Sequence, residues 1–392
     1  MRGGEPAQEL PSAAEVVIVG GGVMGTSIAF HLAEAGVRDV LLLERDVLGS
    51  GSTSKAAGGV RAQFSDAVNI QLGARSLELF QNFGSRPGQE IDLHREGYLF
   101  LLTRAEDVAA FERNVAVQNE LGVPSRMLDA AEARELSPLI STDGVLAAAY
   151  SPDDGYCSPE SVVLGYATAA RRLGARLVTG CHVMGVDRGV TGSGATRVVT
   201  DRGTVTADTV ICAAGAWSAS LGVMAGVDLP VVPYRRQILV TGPLPDAPSR
   251  IPMTIDFSTS FYFHGEGPGV LLGMSDPDEA PGFDLSHSDS WLPRLSEAMS
   301  VRAPRLLDAD IATGWSGLYE VTPDHNALIG EAPGAGRFLY ATGFSGHGFL
   351  QGPAVGEVVR DLYLGRRPFV DVSGLSAERF VHDTPRRELN CV

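Results

Sequence analysis

The chain has 392 residues and a formal net charge of −16, which disfavours nucleic acid and anionic membrane surfaces as partners. Hydrophobic residues make up 44% and charged residues 20%, the balance of a globular protein long enough for two domains. No apolar run nears the ~20 residues that span a bilayer. Cys157, Cys181, Cys212 and Cys391 show no metal-ligand spacing, so buried thiols in the cytoplasm, and no metal site, are expected.

Residues 1–14 are polar, carry Pro and Gly, and lack the apolar centre of a signal peptide; they read as a flexible tail. The stretch from Val16 to Glu44 reads VVIVGGGVMGTSIAFHLAEAGVRDVLLLE. A buried-strand run, Val16–Val19, meets Gly20-x-Gly22-x-x-Gly25. A helix follows with Ile28, Ala29, Leu32 and Ala33 on one face and Gly36 at its stop. A second apolar run, Val40–Leu43, ends in Glu44. In this arrangement Gly20 makes the tight turn, Gly22 lets the backbone approach a pyrophosphate, and Gly25 lets helix and strand pack closely. Glu44 accepts ribose hydroxyls. The stretch therefore predicts a dinucleotide site.

Gly49 to Arg61 is a run of small residues that suits a wall against a flat or charged ligand. A helix is expected near Val68–Phe80, a strand at 97–103, helices near 105–121 and 129–136, and a strand at about 144–150. Pro159-Glu160 opens a helix through Arg172. Strands follow at Arg176–Thr179 and His182–Val186, a hairpin at Arg197–Thr200 and Thr204–Thr206, and a buried strand from Thr209 to a glycine turn at Gly215. Residues 226–322 read as a mostly antiparallel sheet with a helix near Trp291–Val301. Arg337–Gly343 is a third strand running into glycine, followed by a helix over 352–364.

Three strand-to-glycine junctions thus fall at the start, middle and end of the chain. The motifs GGGVMGTSIAFHLAEAG with LLLE, GSGSTSKAAGGVRAQFS, DGYCSPESVV, TVICAAGAWS, GLYEVTPDHNALIG and YATGFSGHGFLQGPAVGEVV resemble the FAD-dependent amine and amino-acid oxidoreductases of the D-amino-acid oxidase superfamily. The likeness is greatest to the group of sarcosine oxidase, dimethylglycine dehydrogenase and the proline dehydrogenase β-subunit, and it covers about 15–370.

The resemblance implies an α/β fold, α+β overall: a Rossmann-type FAD domain from 15–90, 155–225 and 325–370, and an antiparallel-sheet substrate domain from 91–154 and 226–324. Residues 371–392 are left as a C-terminal tail. It implies a cofactor shell of Gly20, Gly22, Val23, Met24, Gly25, Glu44, Arg45, Gly51, Ser52, Thr53, Ser54, Ala57, Gly58, Gly59, Val183, Ala214, Gly215, Trp217, Gly343, Gly346, His347, Gly348, Phe349 and Leu350. It implies a catalytic set of Arg61, Tyr262 and His347, a small amine or amino-acid substrate, and dioxygen or a partner protein as electron acceptor.

The departures from the group pattern carry information too. Relatives that bind flavin covalently use a cysteine at a position resembling Gly317 or a histidine near Lys55; neither is present, so non-covalent FAD is expected. The lysine that completes a carboxylate clamp with Arg61 maps onto Leu350. A lysine that activates oxygen maps onto Leu271, and a nearby histidine onto Ser275, which favours a dehydrogenase.

Arg61, in an apolar setting, needs a substrate carboxylate, a flavin oxygen or a structural ion-pair partner. His347 either faces the flavin edge or is a backbone-bonded turn histidine. Tyr262 either touches substrate or simply packs in its sheet. Of Arg235 and Arg236, one reaching the pocket mouth competes with the favoured reading of two solvated charges. Asp324 and His325 read as turn and structural groups. The expected reaction is oxidation of a C–N bond in a secondary or N-alkyl amine or amino acid. The alternative is an FAD-carrying subunit of a heteromeric dehydrogenase, inactive alone.

Overall fold

The computed structural model describes residues 9–189, 194–382 and 386–390, so most of the expected N-terminal tail and Cys391 lie outside the described residues. The first strand, β1 (Ala13–Val19), leads into α1 (Val23–Glu34) and β2 (Val40–Leu43). Then come β3 (Gly59–Val60), α2 (Ala67–Gln81), β4 (Tyr98–Leu102), α3 (Ala105–Glu120), β5 (Arg126–Leu128), α4 (Ala130–Leu136) and β6 (Ala147–Ser151). The middle of the chain holds β7 (Gly155–Tyr156), α5 (Pro159–Arg172), β8 (Arg176–Val178), β9 (Val183–Asp187), β10 (Thr196–Thr200), β11 (Gly203–Cys212) and α6 (Ser218–Ala225). It continues through β12 (Val232–Thr241), β13 (Met253–Asp256), β14 (Tyr262–Glu266), β15 (Gly269–Met274), α7 (Leu292–Arg302) and β16 (Ile311–Val321). The last elements are β17 (Leu328–Ala332), β18 (Arg337–Thr342), α8 (Gly348–Tyr363) and α9 (Arg379–His382).

Two large sheets organise these elements. The first runs β17-β18-β11-β1-β2-β8, with β10 pairing β11 and β9 pairing β10. Its β18, β11, β1, β2 and β8 are mutually parallel. Their carboxyl ends therefore share one edge, where an open α/β sheet binds its ligand. Val16, Ile18 and Leu42 face a helical layer, while Val17, Val19, Leu41 and Leu43 face the other side. Burial on both faces is why these strands read as unbroken apolar runs. On the helical side α1 and α8 touch closely: a Cβ on Gly356 would lie 2.2 Å from Ser27 Oγ.

The second sheet runs β16-β12-β15-β14-β13-β4-β6-β5. It is antiparallel except for β13 beside β4, which are parallel. Two boundaries differ from expectation. The expected hairpin arm at Thr204–Thr206 and the buried strand from Thr209 are one strand, β11, whose first half pairs with β10 and whose second half pairs with β18. The helix expected over 352–364, α8, starts at Gly348 and carries Pro353 inside it. Close packing against α1 and α2 holds that turn helical despite the missing N–H.

Some of the described residues beyond 371 pack on the rest of the chain. Glu388 and Asn390 are buried, and the Glu388 carboxylate accepts hydrogen bonds from Ser65 N (2.9 Å), Ser65 Oγ (2.7 Å), Asp66 N (3.1 Å) and Asn69 Nδ2 (2.9 Å). Asp324 and Arg379 form a buried pair at 2.8 Å that ties the same segment to the end of β16. Among the described residues no helix is long and apolar enough to cross a membrane.

Candidate active site

A cavity of about 390 Å³ runs from the β1–α1 turn to the inner face of the second sheet. At the turn, Gly20 has φ +115°, and a Cβ there would lie 2.2 Å from Ala213 O, at the end of β11. A Cβ on Gly25 would lie 1.9 Å from Gly20 O. Only glycine allows this approach of helix to turn. Thr53 Oγ1 accepts from Val23 N at 3.1 Å, in the first turn of α1. The Glu44 carboxylate is pinned beside it, accepting from Gly21 N at 2.7 Å and Asp46 N at 2.9 Å. The Arg45 guanidinium lies 3.7 Å from the centre of the Trp217 ring.

The other end is built where the two sheets face each other. Strand alternation puts Arg236 and Ile238 of β12, Gly317 and Tyr319 of β16, Tyr262 of β14, Met253 and Ile255 of β13 and Tyr98 of β4 on the cavity side. The cavity is also lined by Arg61, just after β3, by His347, just before α8, and by Leu350 in the first turn of α8. Arg61 is 1% exposed. Its Nη1 donates to Gln63 O, and its Nη2 donates to Asn390 O at 2.6 Å and to His347 Nε2 at 3.1 Å. Its charge also lies 4.2 Å from the Phe64 ring centre. Burial and the Arg61 charge hold the His347 imidazole well below its usual pKa, so it is neutral and accepts at Nε2. Burial pushes the phenols of Tyr98 and Tyr262 well above their usual range, so both stay protonated.

Two acidic groups complete the surroundings. Asp154 is fully buried, accepts from Ala62 N at 3.0 Å and Gln63 Nε2 at 3.3 Å, and so holds the segment that carries Arg61. Burial raises its pKa from 3.8 to about 7. Glu320 lines the cavity near the start of α8, with Thr342 Oγ1 donating to its carboxylate at 3.0 Å. Burial raises its pKa from 4.5 to about 7.

A family model described as "FAD dependent oxidoreductase" (DAO) matches residues 15–362. The chain belongs to this family. Dimethylglycine dehydrogenase, mitochondrial, of Rattus norvegicus is 32% identical over 94% of the chain and 45% of its own length. FAD-dependent oxidoreductase domain-containing protein 1 of Xenopus laevis is 31% identical over 97% of the chain and 85% of its own length. The crystal structure of L-proline dehydrogenase from P. horikoshii superposes with a TM-score of 0.88 at 33% identity, over 95% of this chain and 99% of that one. The chain spans under half the length of the dimethylglycine dehydrogenases it matches.

The geometry of this chain fits FAD. The Gly20–Gly25 turn leaves a cradle that side chains would fill, the α1 N-terminus faces it, and the Glu44 carboxylate is fixed where a ribose would lie. Of the expected shell, all but Gly25, Ser54 and Gly343 line the cavity. Gly25 lies behind the turn, Ser54 N donates to Gly49 O at 3.0 Å, and Gly343, at φ +70°, packs on Thr322. Arg61, Tyr262 and His347 meet in the same cavity. Arg61, however, is held by carbonyl oxygens and an imidazole; among the described residues it forms no salt bridge, although its charge acts on the buried Asp154 carboxyl. His347 faces Arg61 instead of a backbone group. Leu271 is buried outside the cavity wall.

The solvated reading of Arg235 and Arg236 is corrected. Arg235 is paired with Glu279 at 3.1 Å and Asp284 at 3.0 Å, and Arg236 lines the cavity. The signal for Arg236 was its period-two position with Ile238 on one strand face. Tyr98, Tyr319, Asp154 and Glu320 were not singled out either. Asp154 and Glu320 sat inside quoted motifs, but next to turn residues an acid reads as solvent-facing.

Proposed function

We propose that this chain oxidises a C–N bond in a secondary or N-alkyl amine or amino acid. The observation that carries the reading is one cavity joining the glycine-turn dinucleotide cradle to a pocket of tyrosines and arginines between the two sheets. Bound FAD supplies the hydride acceptor for the substrate's α-carbon, and the substrate leaves as an imine. The protein's own part is to bind, orient and exclude water. Tyr98, Tyr262, Met253, Ile255 and Leu350 present an apolar wall to a neutral amine. Hydride transfer from a neutral amine requires no strong base. The names of two relatives support the substrate class: dimethylglycine and proline both carry alkylated nitrogen.

In the same proposal, residues 15–90, 155–225 and 325–370 hold the cofactor and 91–154 with 226–324 the substrate, a division supported by the membership of the two sheets. FAD is held non-covalently, since Gly317 and Lys55 face each other on the wall and offer neither thiol nor imidazole. The cytoplasm is the proposed compartment, supported by free buried thiols at Cys157, Cys181 and Cys212.

The test is anaerobic bleaching of the flavin band near ~450 nm, characteristic of this cofactor class, by sarcosine, dimethylglycine, proline and pipecolate. Bleaching by at least one is expected. A flavin that stays oxidised with every amine overturns the reading. Admitting air then separates dioxygen from a partner protein as acceptor.

A further inference from the structure

Glu320 is an acid on the wall of the cofactor cavity that the proposed oxidation leaves without a role. Its carboxylate lies between the start of α8 and the turn after β11. Oε1 is 3.3 Å from where a Cβ on Gly348 would stand, and Oε2 is 3.5 Å from one on Gly215; both glycines line the same cavity. Its partners are neutral: Thr342 Oγ1 donates at 3.0 Å, and the backbone N–H groups of Gly343 and Phe344 donate as well. No charged side chain among the described residues holds it. The titratable neighbour is Cys212 on β11, a buried thiol pushed up to about 11 and therefore neutral.

The surroundings suit this carboxyl in either protonation state. The single hydroxyl hydrogen of Thr342 has three acceptors in reach: Glu320 Oε2, Ser218 Oγ at 2.7 Å and Gly215 O at 3.3 Å. An ionised Glu320 takes that hydrogen. A protonated Glu320 donates its own to Thr342 Oγ1, whose hydrogen then turns to Ser218 or Gly215. Hydride transfer to bound FAD adds two electrons and one proton, hence one negative charge. The α8 N-terminus favours an anion nearby, but an ionised Glu320 already holds that place. A second anion in the same cavity raises the affinity of Glu320 for a proton. We infer that Glu320 balances the charge of the reduced cofactor by taking one proton from solvent onto its carboxylate as FAD gains its hydride. The only bond formed at the residue is that O–H; the two electrons and the other proton come from the reductant. Burial raises the Glu320 pKa to about 7, so above that pH the oxidised protein has the carboxylate ready to accept. This inference rests on bound FAD and not on which amine is oxidised.

The test reduces the holoenzyme by dye-mediated titration, so no amine substrate is needed. The slope of the flavin midpoint potential against pH counts the protons taken up with two electrons. Between ~pH 7.5 and ~pH 9 the wild type should take up two protons, and Glu320→Gln, which has the same shape and does not titrate, should take up one. Asp154 is the other buried acid with a pKa raised to about 7, but it is not on the cavity wall, so Asp154→Asn should keep the second proton. The reduced-minus-oxidised infrared spectrum of the wild type in the same pH range should gain a protonated-carboxyl band, which reports even if Glu320→Gln does not hold FAD. One proton in the wild type overturns the inference. So does a second proton that survives in Glu320→Gln or vanishes in Asp154→Asn, or a wild-type spectrum without the carboxyl band. Failure of amines to bleach the flavin would remove the proposed reaction but leave these proton counts standing.

Discussion

Replacing Asp154 with asparagine should change how stability depends on pH. The Asp154 carboxyl is fully buried, and burial lifts its pKa from 3.8 to about 7 against the opposing pull of Ala62 N, Gln63 and Arg61. Between those values the folded protein holds a proton that the unfolded chain has released. The proton's contribution to stability is complete below pH 3.8 and is lost as pH rises through about 7. About three pH units at ~1.4 kcal/mol each give a ceiling of about 4 kcal/mol. The carboxamide of the Asp154→Asn variant stays neutral at every pH, so any cost of the amide facing Gln63 is a constant offset. Chemical denaturation of both proteins from pH 5 to pH 8 reads the difference. The variant should gain on the wild type as pH rises and level off above about pH 7. A difference that stays constant across that range would mean that Asp154 is ionised throughout, and the burial argument fails.

Further outcomes follow from single contacts. Gly25→Ala places a Cβ 1.9 Å from Gly20 O, so the turn must open; the purified variant should lose FAD retention by more than ~100-fold while remaining folded by circular dichroism. Arg302→Met strands Asp256, its partner at 2.8 Å with both side chains 3% exposed; the loss should be about 3–5 kcal/mol in a urea titration. Glu388→Ala orphans donors on Ser65, Asp66 and Asn69; it should cost several kcal/mol at ~1–3 each and raise protease sensitivity at the C-terminus before the rest of the chain.

Much of the dinucleotide half was legible because its signals are local. A buried parallel strand must be apolar throughout, a tight βα turn needs glycine, and an acid after the second strand sits within one βαβ unit. The start of α8 was less legible, because a glycine-rich turn and Pro353 oppose helix locally and only packing against α1 overrides them. The partners of Arg61 were not legible at all. Asn390 lies 329 residues away and His347 286, and no local rule pairs such distances. The sequence by itself determined the parallel strands, the glycine cradle and the FAD family, because each is written in residues within one turn or one strand of each other. Only the tertiary structure decided that Arg236 lines the cavity, that burial raises the pKa of Asp154 and Glu320 to about 7, and that Asn390 meets Arg61. Burial and charge partners depend on which distant segments meet, and sequence spacing carries no record of that.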